Sequence, residues 1–356
     1  MNNEQIITFT VNSHTHLAAA MQKIDDNANG IVFVVDDDER LCGAVSDGDI
    51  RRWILKAGSI DVEVECLMNR NPIFVHNDQC ANGIQIMKKE SIRALPVIDA
   101  VGHIVDIYLA KNERSSYAKE KQKALTDVSV VIMAGGKGTR LYPYTKILPK
   151  PLIPIGEVPI VERVMDNFHE FGISDFLVTV NYKKGMIKSY FAEAGKAYHI
   201  EYVEEDKPLG TGGSLKLIKR VFDSPIFVAN CDSLIRTDYE LLYQHHLQTN
   251  NAITIVTALK NDTIPYGVVY SKEDGELDHM DEKPTRSYLI NTGMYIINPE
   301  IIQLIPNDTM FHMTHLVDKA KELGYKVGMY PVSEDSFLDM GEFTEMKRMN
   351  KKLNIE

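Results

Sequence analysis

The sequence predicts two α/β domains in series: a small module built from a repeated helix, strand, strand unit, then a larger domain with a Rossmann-like mixed sheet and helices on both faces. Three observations carry this expectation. The chain has 356 residues, more than one ordinary domain of roughly 150. Apolar stripes at helical spacing alternate with short continuous apolar runs, the pattern of strands covered on both faces. A polar stretch, Lys111 to Asp127, has no buried-face periodicity and separates two regions rich in such runs. The expected boundaries are 1–118 for the repeat module, 119–127 for a linker and 128–356 for the larger domain.

Composition narrows the function classes. Hydrophobic residues make up 44% and charged residues 25%, enough apolar material for real cores and against a disordered chain. Acidic residues outnumber basic ones 50 to 39, and the net charge of −11 argues against a nucleic acid or an anionic membrane as partner. No apolar stretch approaches a bilayer span and Met1 to Gln5 lacks the regions of a signal peptide, so a cytoplasmic location is expected. Cys42, Cys66, Cys80 and Cys231 form no CxxC pair; free thiols are expected, without disulfide or zinc.

In the first module, Leu17, Ala20, Met21 and Ile24 fall on one face of a helix. Ile31 to Val35 reads as a buried strand turning at Asp36 to Asp38, with Leu41 to Val45 as its partner. The order then recurs. Cys80, Ile84 and Met87 give a second stripe, Ala94 to Ile98 a strand ending at Asp99, and His103 to Tyr108 its partner. At the end of the first repeat, Gly43-Ala44-Val45-Ser46-Asp47-Gly48-Asp49 places Asp49 to accept from two hydroxyls and Ser46 to reach a phosphate. The same residues suit a helix cap ahead of Asp49 to Leu55. The layout resembles a pair of CBS motifs over about the first third of the chain, and this segment matches the family's G-x-h-S/T-x-x-D element. The resemblance implies one adenine nucleotide site at Ser46 and Asp49. The second repeat has Val105, Asp106 and Leu109 after Gly102 and lacks the element.

The larger domain opens with the apolar run Val128 to Met133, followed by Ala134-Gly135-Gly136-Lys137-Gly138-Thr139-Arg140. Three glycines in four positions let backbone N–H groups approach a phosphate, and Lys137 and Arg140 supply positive charge. The spacing fits neither the dinucleotide fingerprint nor the P-loop. Pro149 and Pro151 hold Lys150 in an extended segment. Pro159 opens a helix with Ile160, Val161, Val164, Met165 and Phe168 on one face, ending at Gly172, and Phe176 to Val180 is the next strand. Ile226 to Ala229 is a further strand that delivers Asn230-Cys231-Asp232 at its carboxyl end, where open α/β sheets place ligands. A phosphate-handling site needs a divalent cation, and Mg²⁺ takes a couple of carboxylates plus phosphate oxygens and water, which makes Asp232 a candidate ligand. His312 and His315, at i and i+3, have no third ligand nearby and read as a helix end.

GGKGTRLYP, followed by the lysine of PKP, resembles the signature of the sugar-1-phosphate nucleotidyltransferases, and the resemblance extends over the remaining chain. It implies that Ala134, Gly135, Gly136, Gly138, Thr139 and Arg140 hold a nucleoside triphosphate and that Lys150 acts at its α-phosphate. It implies that Asp339, in Phe337-Leu338-Asp339-Met340-Gly341, completes a Mg²⁺ site with Asp232. Glu205 and Gly210, in the segment Glu204 to Gly213, would face the base. Glu282 and Lys283 of E-K-P, with Asn291 and Gly293 of N-T-G, would contact the sugar 1-phosphate, Glu282 accepting from hydroxyls while Lys283 pairs with the phosphate. Arg140, Lys150, Asp232 and Lys283 are thus the expected catalytic set. Cys231 stands where many relatives have glycine, and nothing makes it a nucleophile.

An acceptor-only carboxylate at Glu205 complements guanine, whose N1–H and amino group both donate. A CBS pair ahead of this domain resembles the glucosamine-1-phosphate guanylyltransferases of legionaminic acid biosynthesis, so GTP and glucosamine 1-phosphate are the first expectation. Mannose-1-phosphate guanylyl transfer and glucose-1-phosphate thymidylyl or uridylyl transfer are the alternatives within the fold. From another class comes a noncatalytic, nucleotide-sensing CBS protein, against which the retained Arg140, Lys150, Asp232 and Asp339 speak. For the repeat module, regulation by an adenine nucleotide and a structural role in dimerisation both stand open, and a homo-oligomer is expected.

Overall fold

A computed structural model of the chain describes residues 3–27, 29–57, 60–77, 83–90, 92, 94–109, 125–341 and 343–352. Cys80 and the expected linker up to residue 124 lie outside the described residues. Two compact units emerge, one drawn from residues 1–119, 259–290 and 333–335, the other from 120–258, 291–332 and 336–356.

The first unit contains the anticipated repeat. Strand Thr10–Asn12 lies parallel to Ile31–Val35, which pairs antiparallel with Leu41–Ser46, and helix Leu17–Asn27 connects the first two. Strand Val75–His76 stands in the same relation to Ala94–Ile98 and Ile104–Leu109, with helix Gly83–Lys89. Both hairpins shift register at the same place, after Val34 and after Val97. Their turns are built alike: Asp36 Oδ1 accepts from the N–H groups of Asp38 and Arg40, and Asp99 Oδ1 from those of Val101, Gly102 and His103. A short carboxylate that bonds its own turn is a local device, which explains why the sequence repeats it. Phe9 and Phe33 of the first repeat share a core with Ala94 and Ile107 of the second. One expectation is corrected: Ile84 is 64% exposed, and Ile86 joins Met87 against the core instead, because Leu95 and Val97 lie on that side of the short helix.

In the second unit a seven-stranded mixed sheet runs in the order His199–Glu204, Asp175–Val180, Ser129–Met133, Ile226–Asn230, Thr285–Ile297, Ile253–Thr263, Val327–Val332. The first four strands are mutually parallel, and Ile226–Asn230 pairs antiparallel with Thr285–Ile297. Alternation along the strands sorts residues to two covered faces. Val131, Leu177 and Val228 pack with Met313, Leu316 and Ala320 of helix Met313–Glu322. On the opposite face Phe176 and Phe227 meet Phe168 of helix Ile160–His169, which stacks on Tyr239 of helix Tyr239–Thr249 at 4.4 Å. The expected stripe Ile160, Val161, Val164, Met165 and Phe168 is wholly buried, and Gly172 turns the chain with φ of 95°.

Helix Tyr239–Thr249 is tied to the sheet by a buried polar link. His246 Nδ1 lies 2.8 Å from Thr254 Oγ1 and Nε2 3.0 Å from Asn298 Oδ1. Because the amide oxygen only accepts, Nε2 carries a proton in this arrangement. Burial lowers the pKa of His246, helped by His245 and opposed by the Asn298 bond and Glu300. A depressed folded pKa means that the unfolded chain takes up the proton first as pH falls, so stability is full above the unfolded value of about 6.5 and declines below it. The midpoint of denaturant unfolding is expected to fall between pH 7.5 and 5.5. His246→Gln is expected to be less stable at pH 7.5 by about 1–3 kcal/mol and to show a smaller decline with acid.

Candidate functional site

Four parallel strands deliver their carboxyl ends to one edge of the sheet, and the strand order reverses beside Ser129–Met133, the arrangement that opens a ligand crevice. Ser129–Met133 continues into the glycine loop. The amide of Ala134 donates to Thr179 O at 3.0 Å, so this residue still belongs to the sheet and the open loop starts at Gly135. Gly136, Lys137, Thr139 and Arg140 are exposed, and the side chains of Lys137 and Arg140 form no ion pair among the described residues.

The loop glycines have different reasons. At Gly135 a Cβ would lie 2.5 Å from Glu205 Oε1. Glu205 follows strand His199–Glu204, the second strand over from Ser129–Met133 in the sheet, is 6% exposed, and its Oε2 accepts from Leu209 N at 3.2 Å. Burial raises its pKa, opposed by the Leu209 bond and by Thr179. Gly138 has φ of 64°, and a Cβ there would meet Lys150 Cβ at 2.8 Å. Thr145 Oγ1 donates to Gly138 O at 2.8 Å and fixes that approach. Nothing lies near a Cβ at Gly136.

Lys150, held between its two prolines at the start of a short 3₁₀ turn, forms an ion pair with Asp232. Its side chain is 21% exposed and that of Asp232 11%. Burial pulls the Lys150 pKa down, but Asp232, Cys231 and Asp339 outweigh it and the net shift is upward. Asp339 reaches the same place by a long-range pairing. Strands Ser233–Ile235 and Phe337–Asp339 form an antiparallel ribbon with Ser233 opposite Asp339, Ser233 Oγ donates to Asp339 Oδ1 at 3.2 Å, and Met340 N donates to Asp232 O at 3.0 Å. Burial and the charge of Asp232 both raise the pKa of Asp339. Two acids facing one ammonium leave negative charge over, which suits a divalent cation. No group of three or more His, Cys, Asp or Glu side chains placed to hold a metal ion by themselves occurs among the described residues. Two carboxylates plus phosphate and water is a set that Mg²⁺ takes readily. Asp232 and Asp339 would hold it. Cys231, between strand and carboxylate, is buried with its thiol pushed up to about 12 by burial first and Asp232 second, unsuited to nucleophilic attack.

Beside this charge set lies a cavity of about 210 Å³ lined by Thr211, Asn230, Ser233, Asn291, Gly293, Tyr295 and Asp339 among others. Antiparallel pairing of Ala229 with Met294 brings Asn291 and Gly293 to the end of the strand that carries Asn230. Gly210 has φ of 78°, and its loop is bonded to Phe311 O through Gly212 N and Gly213 N, both at 2.9 Å. His312 and His315 cap helix Met313–Glu322 reciprocally, as a helix end. The structure thus brings together Lys150, Asp232 and Asp339, Gly135 with Glu205, Gly138 with Lys150, and Asn291 and Gly293 with Asp339. Thr211 and Asn230 lie in segments expected near the ligand but were assigned no role, and Ser233 and Tyr295 were not anticipated. Asn230 and Ser233 flank Cys231-Asp232, which was the available signal, whereas Tyr295 reads as an ordinary strand residue.

Four expected site residues belong to the first unit. Lys283 follows strand Leu277–Glu282 with φ of 49°, a left-handed conformation that a non-glycine residue adopts at a cost. Strand Leu277–Glu282 pairs antiparallel with Gly267–Ser271, and Glu282 Oε2 would lie 3.0 Å from a Cβ on the facing Gly267. Ser46 and Asp49 form a helix cap: Ser46 N and Oγ donate to Asp49 Oδ2 at 2.9 and 2.6 Å, and Asp49 also pairs with Arg52. The capping alternative therefore describes these two side chains.

The family model for "Nucleotidyl transferase" matches residues 129–355, well over half of the chain. This chain belongs to the nucleotidyl transferase family. A CBS domain model matches residues 4–56, the first of the two repeats. Among curated proteins, mannose-1-phosphate guanyltransferases of Debaryomyces hansenii and Emericella nidulans are 36% and 34% identical over 186 and 187 residues, covering 49% and 50% of this chain. The chain spans about half the length of these relatives, 51% of each. Among solved structures, HddC from Yersinia pseudotuberculosis is 26% identical with a TM-score of 0.51, covering 64% of this chain and 99% of that one.

The two loop glycines give a direct comparison. Gly135→Ala is expected to lower stability by about 1–3 kcal/mol, because Glu205 is buried and anchored and cannot swing away cheaply. Gly136→Ala is expected to stay within about 0.5 kcal/mol of wild type. Thermal unfolding of the two variants checks both.

Proposed function

We propose that this chain transfers a nucleoside monophosphate from a nucleoside triphosphate to a hexose 1-phosphate. A phosphate oxygen of the sugar 1-phosphate attacks the α-phosphorus, the bond from that phosphorus to the bridging oxygen breaks, and pyrophosphate leaves. The observation that carries this reading is the convergence of Lys150, Asp232 and Asp339 beside a glycine loop whose cations are unpaired among the described residues. In this reading Gly135, Gly136, Gly138, Thr139 and Arg140 receive the triphosphate and Lys150 the α-phosphate. Lys283 meets the sugar phosphate, while Glu282 and Gly293 face the sugar. Mg²⁺ at Asp232 and Asp339 would neutralise the phosphate charge. No protein nucleophile is needed; positioning of two anions and electrostatic stabilisation carry the rate.

The donor is GTP. A buried, acceptor-only Glu205 suits the two donors on the guanine edge, and the curated relatives named above are guanyltransferases. For the acceptor, the repeat module ahead of the transferase favours glucosamine 1-phosphate, and the relatives of the transferase half favour mannose 1-phosphate. An adenine nucleotide at the repeat module would have to displace the Ser46–Asp49 cap, so Asp49 holds its ligand only if that cap opens.

Pyrophosphate release from four triphosphates against glucosamine, mannose and glucose 1-phosphates tests the reading. Turnover is expected with GTP, and turnover with dTTP alone would contradict the guanine assignment. Lys150→Ala and Asp232→Ala are expected to lose on the order of 10² to 10³ in rate; near-wild-type rates in either would overturn the site.

A further inference from the structure

The polar side chains around the 210 Å³ cavity can be accounted for one by one. Thr211 Oγ1 accepts from Met313 N at 3.1 Å, and Ser233 Oγ donates to Asp339 Oδ1 at 3.2 Å. Thr292 Oγ1 donates to Val256 O at 2.7 Å. Asn291 uses both ends of its carboxamide internally: Nδ2 donates to Tyr295 Oη at 2.6 Å, and Oδ1 accepts from Gly293 N at 3.0 Å. Among the polar side chains that line this cavity, Asn230 alone bonds to no described residue. It is half-buried at the end of strand Ile226–Asn230. Its carboxamide lies over the Cα of Gly293, where any Cβ would overlap it, and Gly293 has φ of 78°, so the close approach depends on glycine twice over.

No Lys, Arg or His side chain lines the cavity, and Asp339 is its one carboxylate. Such a lining suits the neutral hydroxyls of a sugar ring and offers nothing to its phosphate. A hydroxyl both donates and accepts, and so does a carboxamide; a carboxylate does only one. We infer that Asn230 is a specificity-determining residue that reads a ring hydroxyl of the sugar 1-phosphate. Asn291, expected from its motif to touch the sugar, is instead a positioning residue that holds Tyr295 and the Gly293 turn. This rests on the sugar-1-phosphate reading above, and deepens it by separating the residue that contacts the sugar from the one that shapes the cavity.

The test uses steady-state kinetics on the full chain, with the hexose 1-phosphate that the wild type turns over and its monodeoxy analogues. Asn230→Ala is expected to raise KM for the sugar 1-phosphate on the order of ten-fold, leaving KM for the triphosphate unchanged. The wild type is expected to discriminate against the analogue lacking the hydroxyl that Asn230 reads, and Asn230→Ala to lose that discrimination. Asn230→Ser serves as a second variant should the alanine protein fold poorly, with the same loss expected. Asn291→Ala is expected to lower the thermal midpoint while keeping the discrimination. An unchanged sugar KM and unchanged discrimination in a folded Asn230 variant would overturn the assignment, as would loss of discrimination in Asn291→Ala alone. Absence of wild-type turnover with every sugar 1-phosphate would overturn the parent reading, and this one with it.

Discussion

Lys150 and Asp232 form an ion pair largely withdrawn from solvent, and withdrawing either charge alone would cost several kcal/mol. The surrounding chain keeps the two in register. Pro149 and Pro151 restrict the backbone on either side of the ammonium. Gly138, with no Cβ, lets the glycine loop lie against the lysine stem, and Thr145 ties the loop there from a fully buried position. Asp232 leaves the end of a strand that is parallel to the one feeding the loop, so one sheet edge supplies both sides of the pair.

A second acid makes this more than a structural pair. Asp339 sits beside Ser233 through the ribbon register, and its raised pKa records both burial and the nearness of Asp232. One ammonium cannot neutralise two carboxylates, while Lys137 and Arg140 are exposed on the loop and unpaired among the described residues. Free cations on one side and surplus carboxylate on the other suit a ligand that brings phosphates and a divalent cation together. This local separation of charge also explains how a chain of net charge −11 can attract a polyphosphate.

The sequence made legible whatever local pattern determines. The helical face of Ile160 to Phe168, the apolar run before the glycine loop, and the doubled helix, strand, strand order were all readable, because periodicity and turn carboxylates act over a few residues. Ile84 was misplaced because a seven-residue helix gives too few apolar positions to fix its buried face. What stayed illegible is long-range. The bond from Ser233 to Asp339 joins residues 106 apart, and no local pattern encodes that register. Grouping of residues 259–290 with the N-terminal module was equally invisible. At the candidate site, motifs pointed to Lys150, Asp232 and Asp339, which do converge. They placed Asn230 at a strand end without assigning it a role, which rests on its having no bonded partner among the described residues, and they did not mark Asn291 as a residue spent on internal bonds.

The account depends most on Lys150 and Asp232 acting as one unit, and a double-mutant cycle measures that directly. Lys150→Met, Asp232→Asn and the double variant would be compared with wild type by denaturant unfolding at pH 7.5. The account predicts that each single variant is less stable and that the double variant recovers part of the loss, with a coupling of about 0.5–3 kcal/mol. Strictly additive effects, with no coupling between the two positions, would contradict it.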